Sequence, residues 1–358
     1  NIPRYFSFGT WLNRQHLFMK ISAGEHYGWS EIPASRNNPN LKPTTWVNYV
    51  KQFKGLTVVE ARNLLESQQL TGTKTSLKEM EFMDVGLLDL SGRLQNKSVV
   101  EMLGLTGREP VPGLFCILDK DENKVREEAE KSIAQNLGHH LKFKMYGDEA
   151  VDLKLLKIIR GVIGEDAVLI SDVNSGYKSW NSLEELANIL NIFKANGLNA
   201  IEDPANMTNQ QWIELQSMVG ELSLIPDKPM RPAWKGLKTI KPGMGRIFNL
   251  HPSTMGSFKK TVVLADKIKA LGATIMIGDD SLVGPACSAW QQIAIGVGAS
   301  WVEAIEKKED SKEYLDCIIK SPTQKEPNGY YALNPAPGFG LELDEKRLKH
   351  VCELYIDL

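Results

Sequence analysis

The sequence predicts an α/β protein: a (β/α)8-type TIM barrel with an N-terminal α+β capping domain that is completed by the C-terminal segment. Two observations predict it. From about Pro110, apolar segments of strand length alternate with helical segments in strict order. Five of those strands, LKFKMYG (141–147), LISDVNSGY (169–177), NAIEDPA (199–205), SLIPDKPM (223–230) and FNLHPSTMG (248–256), end in a polar or charged residue roughly 25 to 30 positions after the last such end. Parallel strands buried on both faces read as apolar runs that turn polar only at their C-terminal ends, as VLISD, NAIED and TIMIGDD do.

The elements follow in order. Residues 1–109 lack the barrel rhythm: HLFMKI (16–21) alternates as a strand, AGEHYGW (23–29) turns, and residues 47–68 and 78–103 carry apolar side chains at three- and four-residue intervals, as helices do. Residues 110–320 hold the barrel. Counting from Gly113, the strands GLFCILD, LKFKMYG, AVLISDVN, LNAIEDP, LSLIPDKP, RIFNLHPS, ATIMIGDD and ASWVEAIE number eight, enough to close it, with helices such as VDLKLLKIIRGVIG between them stopped by glycine. The segment 321–358, rich in Pro and Gly around PAPGFG, is expected to run back to the small domain, leaving the cap over the barrel mouth.

Composition narrows the function classes. The 358 residues, 42% hydrophobic and 24% charged, suffice for a full core and argue against disorder. Forty-two basic against 44 acidic residues leave a formal charge of −2 with no basic block, so nucleic acid is not an expected partner. No stretch reaches the roughly 20 apolar residues of a membrane span, and NIPRYFSFGT lacks a signal-peptide core, so a cytoplasmic protein with no membrane partner is expected. Cys116, Cys287, Cys317 and Cys352 are scattered without zinc-site spacing and are expected to be reduced and mostly buried.

In a barrel, the C-terminal strand ends share one face, so residues far apart in sequence meet there. Asp172, Glu202 and Asp227 would supply three hard oxygen ligands from adjacent strands, which suits Mg²⁺. Asn174, two residues beyond Asp172, would hydrogen-bond a ligand or the substrate. Lys142 and Lys144, two apart on one strand, would both face the interior. Two ammonium groups about 4 Å apart repel by roughly 4 kcal/mol at an effective dielectric of ~20, so Lys144 is expected to lose its proton easily and serve as a base. Lys142 would stay charged and hold the substrate carboxylate. His251, on the strand across the barrel from Lys144, would act on the opposite face, with Asp280 orienting it. Lys228 would meet a substrate anion or pair with Asp203.

With these residues in this order, the chain resembles the enolase superfamily, in particular its mandelate racemase and muconate lactonizing enzyme branch, over nearly its whole length. Lys142-Phe143-Lys144 is similar to the family's K-x-K, Asp172-Val173-Asn174 to its D-x-N, Glu202-Asp203-Pro204 to its E-x-P, and Asp227 to its fifth-strand acid. HYGWSE (26–31), GLLDLSGRLQNKSVVEMLG and PAPGFGLELD are similar to its cap signatures. The resemblance implies an isomerase or lyase. In it Mg²⁺ is held by Asp172, Glu202 and Asp227, Lys144 removes the proton α to a substrate carboxylate, and the resulting enediolate goes on to racemisation, epimerisation, cycloisomerisation or β-elimination, as in acid dehydration.

The chain departs from the pattern at His251, where a lysine is usual in lactonizing-type members, and at Lys228, where the family often has glutamate. The eighth strand, SWVEAIE, lacks the D-x-D of dipeptide epimerases. Two other readings stand beside this one: a Schiff-base lyase or aldolase using Lys144 or Lys142 as nucleophile, and a non-catalytic acid-binding relative. A small carboxylate substrate, read by loops at 5–14 and 32–40, and a homo-oligomer are the expected partners.

Overall fold

The computed structural model of the protein describes residues 3–37, 41–71, 75–306, 308–321 and 323–358. Eight parallel strands form the barrel: Phe115–Ile117, His140–Lys144, Val168–Asp172, Ala200–Glu202, Ser223–Ile225, Ile247–Leu250, Thr274–Ile277 and Trp301–Val302. The first five hydrogen-bond as one sheet and the last three as another. Two contacts close the ring: Asn249 N–H donates to the Pro226 carbonyl at 3.2 Å, and Leu114 N–H to the Val302 carbonyl at 2.8 Å.

Period-two alternation decides which side chains enter the barrel. Leu114, Ile170, Ala200, Ile225, Ile247 and Met276 pack together as an apolar layer inside the ring. Two residues further along each strand the same inward phase delivers Cys116, Asp172, Glu202, Asp227, Asn249 and Gly278. The opposite phase, with Phe115, Leu141, Phe143, Leu169, Ile201, Leu224, Phe248 and Ile275, packs outward against the surrounding helices. The charged centre thus rests on a dry hydrocarbon floor.

The cap departs from the sequence reading in its helix breaks. Residues 47–68 form two helices, Thr44–Lys51 and Val58–Thr71, and residues 78–103 form a long helix, Leu77–Gln95, and a single turn, Val99–Met102. Asn96, left-handed at φ 51°, ends the long helix, and Ser76 begins it with a capping box. That helix is buried from Glu79 to Gly92 although it carries four acids there. Glu79 accepts from Ser76 at the helix's own cap, and the other three are matched to donors of other segments. Glu81 accepts from Ser253 N–H at 2.6 Å, Met255 N–H at 3.1 Å, Gly256 N–H at 3.2 Å and the Trp290 indole at 3.0 Å. Asp84 accepts from Phe258 N–H at 2.7 Å. Asp89 accepts from Trp29 N–H at 2.8 Å and Phe339 N–H at 2.7 Å.

The C-terminal segment returns as expected. Tyr331 pairs with Val111, and Gly338 passes so close to the long helix that a Cβ on Gly92 would lie 2.6 Å from its Cα. Among the described residues no helix is long and apolar enough to cross a membrane. All four cysteines are free; Cys352 is exposed, contrary to expectation, because the chain after the last helix lies on the surface.

Glu81→Ala strips four N–H donors of their acceptor, three of them in the loop that follows His251. It is expected to cost about 3 kcal/mol in urea unfolding.

Candidate active site

Lys142 and Lys144 both point into the barrel, Lys142 almost fully enclosed. The Lys142 ammonium donates to Glu202 Oε2 at 2.5 Å and to Glu303 Oε2 at 2.8 Å, and lies 3.7 Å from Asp172 Oδ2. Lys144 donates to Asp172 Oδ2 in a short bond and to Asn174 Oδ1 at 3.3 Å. Mutual repulsion of the two lysines therefore does not govern the site. Burial pulls the Lys142 ammonium down, but Glu202, Glu303 and Asp172 outweigh it and hold the pKa well above 10.5. Lys144 is likewise pulled down by burial and by Lys142, yet Asp172 raises it overall. The expectation of an easily deprotonated Lys144 is corrected, because the nearest charge to each lysine is a carboxylate. Lys142, expected to hold the substrate carboxylate, directs its charge to Glu202 and Glu303.

Asp172 is disfavoured as an anion by burial, but Lys144 and Lys142 reverse the effect and bring its pKa down to about 2. Glu202 is pushed up to about 7, by burial first and then by Asp172, with Lys142 opposing. Asn174, expected to hydrogen-bond a ligand or the substrate, bonds Asp172: its N–H donates to Oδ1 at 2.8 Å and its Nδ2 to Oδ2 at 3.1 Å. With φ 49° it curls back over the strand end instead of continuing it.

His251 is half-buried. Its Nδ1–H donates to the Pro252 carbonyl at 2.8 Å, leaving Nε2 as the acceptor of a neutral ring. Burial, followed by the positive field of Arg231, keeps it well below 6.5 and hence uncharged at neutral pH. Gly278 makes room for it, since a Cβ there would lie 3.1 Å from the imidazole Cδ2 and 2.7 Å from Asn249 Oδ1.

Asp280 does not orient His251. Arg36 and Lys78 of the cap engage its two oxygens, Lys78 at 3.1 Å, while the Nδ1 of His251 is turned to the Pro252 carbonyl; Asp280 is a tie between cap and barrel. Lys228 does not form the expected side-chain pair with Asp203. Its exposed ammonium donates to Ser175 Oγ at 2.7 Å and the Asn174 carbonyl at 3.2 Å, while its backbone N–H reaches Asp203 Oδ2 at 3.3 Å.

Of the loops expected over the mouth, the first brings Phe6, whose ring lies 5.2 Å from the Lys144 ammonium, and Ser7, whose hydroxyl donates to the Val173 carbonyl at 2.7 Å. The second brings Arg36, stacked 4.0 Å from the Trp11 ring; its residues 38–40 lie outside the described residues.

Three positions at the centre, Glu303, Asn249 and Arg231, escaped the sequence reading, and Asp203 was read only as a partner for Lys228. Glu303 and Asn249 were within reach: each is in inward phase, two residues after Trp301 and two before His251. Asn249 donates to Glu202 Oε1 at 2.8 Å. Asp203, at φ 41°, accepts from Asp227 N–H at 3.1 Å and shapes the fifth-strand loop. Arg231, behind a 3-10 turn at Lys228–Met230, folds back onto Asp227, its Nε donating to Oδ1 at 2.6 Å and its Nη2 to Oδ2. Only its spacing of four from Asp227 was visible in the sequence.

The chain matches the family "Enolase C-terminal domain-like" over residues 124–347. It belongs to the enolase superfamily. A superfamily relative, muconate cycloisomerase 1 of Acinetobacter baylyi, is 25% identical over 363 residues, covering 98% of this chain and 95% of that protein. The N-succinyl-L-Arg/Lys racemase of Bacillus cereus is 23% identical over 275 residues, 75% of this chain and 70% of that one. Among solved structures, the muconate lactonizing enzyme from Pseudomonas fluorescens with muconolactone aligns with TM-score 0.80 at 20% identity, over 97% of this chain and 94% of that chain. A dipeptide epimerase from Cytophaga hutchinsonii, complexed with Mg and a dipeptide, aligns with TM-score 0.81 at 14% identity, over 98% and 94%. The protein is thus an enolase-superfamily enzyme of the mandelate racemase and muconate lactonizing branch.

Magnesium, bound in that epimerase, was the expected partner of Asp172, Glu202 and Asp227. The donor set as arranged here does not fit it. Each of the six carboxylate oxygens accepts an N–H: Asp172 from Asn174 and Lys144, Glu202 from Asn249 and Lys142, Asp227 from both sides of the Arg231 fork. Among the described residues no three acidic, histidine or cysteine side chains are grouped to hold a metal. A divalent ion about 4 Å from a guanidinium would also be repelled by about 8 kcal/mol at an effective dielectric of ~20.

Removing Glu303 leaves a buried ammonium short of one counter-charge. Glu303→Ala is expected to destabilise the fold by about 3 kcal/mol in chemical unfolding, and Glu303→Gln, which keeps the shape and the acceptor, by less.

Proposed function

We propose that the enzyme moves the proton α to the carboxylate of a small acid, with Lys144 and His251 working from opposite faces. One observation carries the reading: two proton-handling side chains stand at the same end of an eight-strand ring, Lys144 ending the second strand against Asp172, which raises its pKa, and His251 just after the sixth, where burial lowers its own. In the direction those shifts favour, His251 Nε2 takes the α-proton, the C–H electron pair moves into the carboxylate as an enediolate, and Lys144 Nζ–H delivers a proton to the other face. The stereocentre inverts, and reverse transfer from imidazolium and to the neutral amine restores both groups. Nearby cations oppose the charge that develops on the carboxylate, and each 1.36 kcal/mol of such stabilisation gives about tenfold in rate.

This assignment reverses the base expected from the sequence, for a lysine beside Asp172 keeps its proton at neutral pH. The same fact weighs against a Schiff-base route, which needs a neutral amine. The proton transfer is written without magnesium's help, since Asp172, Glu202 and Asp227 are already engaged by Lys144, Lys142 and Arg231. Phe6 and Trp11 near the mouth favour an acid with an apolar or aromatic substituent.

The test is exchange of the α-proton with deuterated solvent across a panel of N-acylated amino acids, acid sugars and aromatic hydroxy acids. His251→Asn is expected to lower exchange from one enantiomer at least 10²-fold, and Lys144→Ala from the other. Racemisation that survives both changes would refute the assignment.

A pH profile gives a second check. Activity in the His251-as-base direction needs neutral imidazole and protonated lysine. Since His251 lies well below 6.5 and Lys144 above 10.5, kcat/KM is expected to stay flat between those values, falling only on their outer sides.

A further inference from the structure

The fifth-strand loop contains a cation to which the proton transfer assigns no step of its own. Arg231 places the planar edge of its guanidinium on both oxygens of Asp227, four residues earlier, and the turn between them is held by Asp203, which accepts from Asp227 N–H at 3.1 Å and Lys228 N–H at 3.3 Å. The Arg231 side chain is 23% exposed, so part of it stays open to solvent while Nε and Nη2 engage Asp227. The strand ends around it carry Asp172, Glu202 and Asp203, whose fields oppose the effect of burial on the guanidinium, and its own field is felt at His251.

We propose that Arg231 is the resident cation of this centre: its guanidinium stands in the charge position that a divalent ion would take among the three strand-end acids, and its remaining N–H groups receive the substrate carboxylate. A guanidinium is permanently charged, cannot share its acceptors with a metal at hydrogen-bonding distance, and binds planar carboxylates through two parallel N–H bonds. It uses Nε and Nη2 on Asp227, so the fork that fixes it inside leaves donors for an acid outside. A lysine in the same place would bring a point charge without the second edge. The role in substrate binding rests on the proton-transfer reading above; the occupancy of the acid cluster does not.

The probe is Mn²⁺, followed by electron paramagnetic resonance on the chelator-treated, desalted full chain without substrate. The wild type is expected to leave Mn²⁺ free at millimolar concentration and to show no Mg²⁺-dependent rise in Tm. Arg231→Met, with folding checked by circular dichroism, is expected to gain at least tenfold in Mn²⁺ affinity. With a substrate found by the exchange screen, wild-type rates are expected to change less than twofold between EDTA and Mg²⁺, while Arg231→Lys raises KM at least tenfold. One equivalent of Mn²⁺ bound tightly by the wild type overturns the proposal, as does a folded Arg231→Met that still binds none. Failure of every acid to exchange would instead count against the proton-transfer reading and leave the Mn²⁺ result to decide this one.

Discussion

The structure turns on the neutralisation of five acids gathered at one end of a hydrocarbon-filled barrel. Asp172, Glu202, Asp203, Asp227 and Glu303 are all buried, and isolated carboxylates in such a place would cost several kcal/mol each. Lys142, Lys144 and Arg231 answer them from within, and Asn249, Asn174 and backbone N–H groups fill the remaining acceptors. The charge states of the site follow. The lysines keep their protons because carboxylates surround them, and His251 stays neutral because burial and a neighbouring guanidinium both disfavour a second positive charge there.

The cap is bound to this centre by acids used as hydrogen-bond acceptors. The helix Leu77–Gln95 extends Glu81 and Asp84 to the backbone after the sixth strand, and Asp89 to the cap strand and to the returning C-terminal segment. Glu31 does the same for the loop after the seventh strand, accepting from Val283 N–H at 2.9 Å and Gly284 N–H at 2.7 Å. The loop that holds His251 is therefore positioned from the cap as well as from its own strand. Cap and barrel behave as one support for the site, while the aromatic hairpin Phe6 to Trp11 remains partly exposed over it.

Much of this was legible in residue order. Alternating strand and helix periods identify the barrel, and the polar strand ends identify which face carries the chemistry, because inward phase is set by a period of two that local geometry enforces. The same phase could have supplied Asn249 and Glu303, whose roles were missed only because a strand interior was read as apolar throughout. Asp280 was assigned by nearness in strand order, a measure blind to Arg36 and Lys78, which lie far earlier in the chain yet adjacent in space. Asn174 turns back to Asp172 through a left-handed bend that alternation does not describe.

The sequence by itself determined the repeat, the inward or outward sense of the strand residues, and three of the five acids of the centre, Asp172, Glu202 and Asp227, since these depend on spacing along one chain. Tertiary structure alone decided which charge sits beside which. Coulombic energy depends on distances of a few ångströms between side chains from different strands, so two lysines that repel on paper become protonated partners of Asp172 and Glu202. It also decided that Arg231, carried on an irregular loop with no periodicity to betray its direction, turns back into the acids instead of out to water.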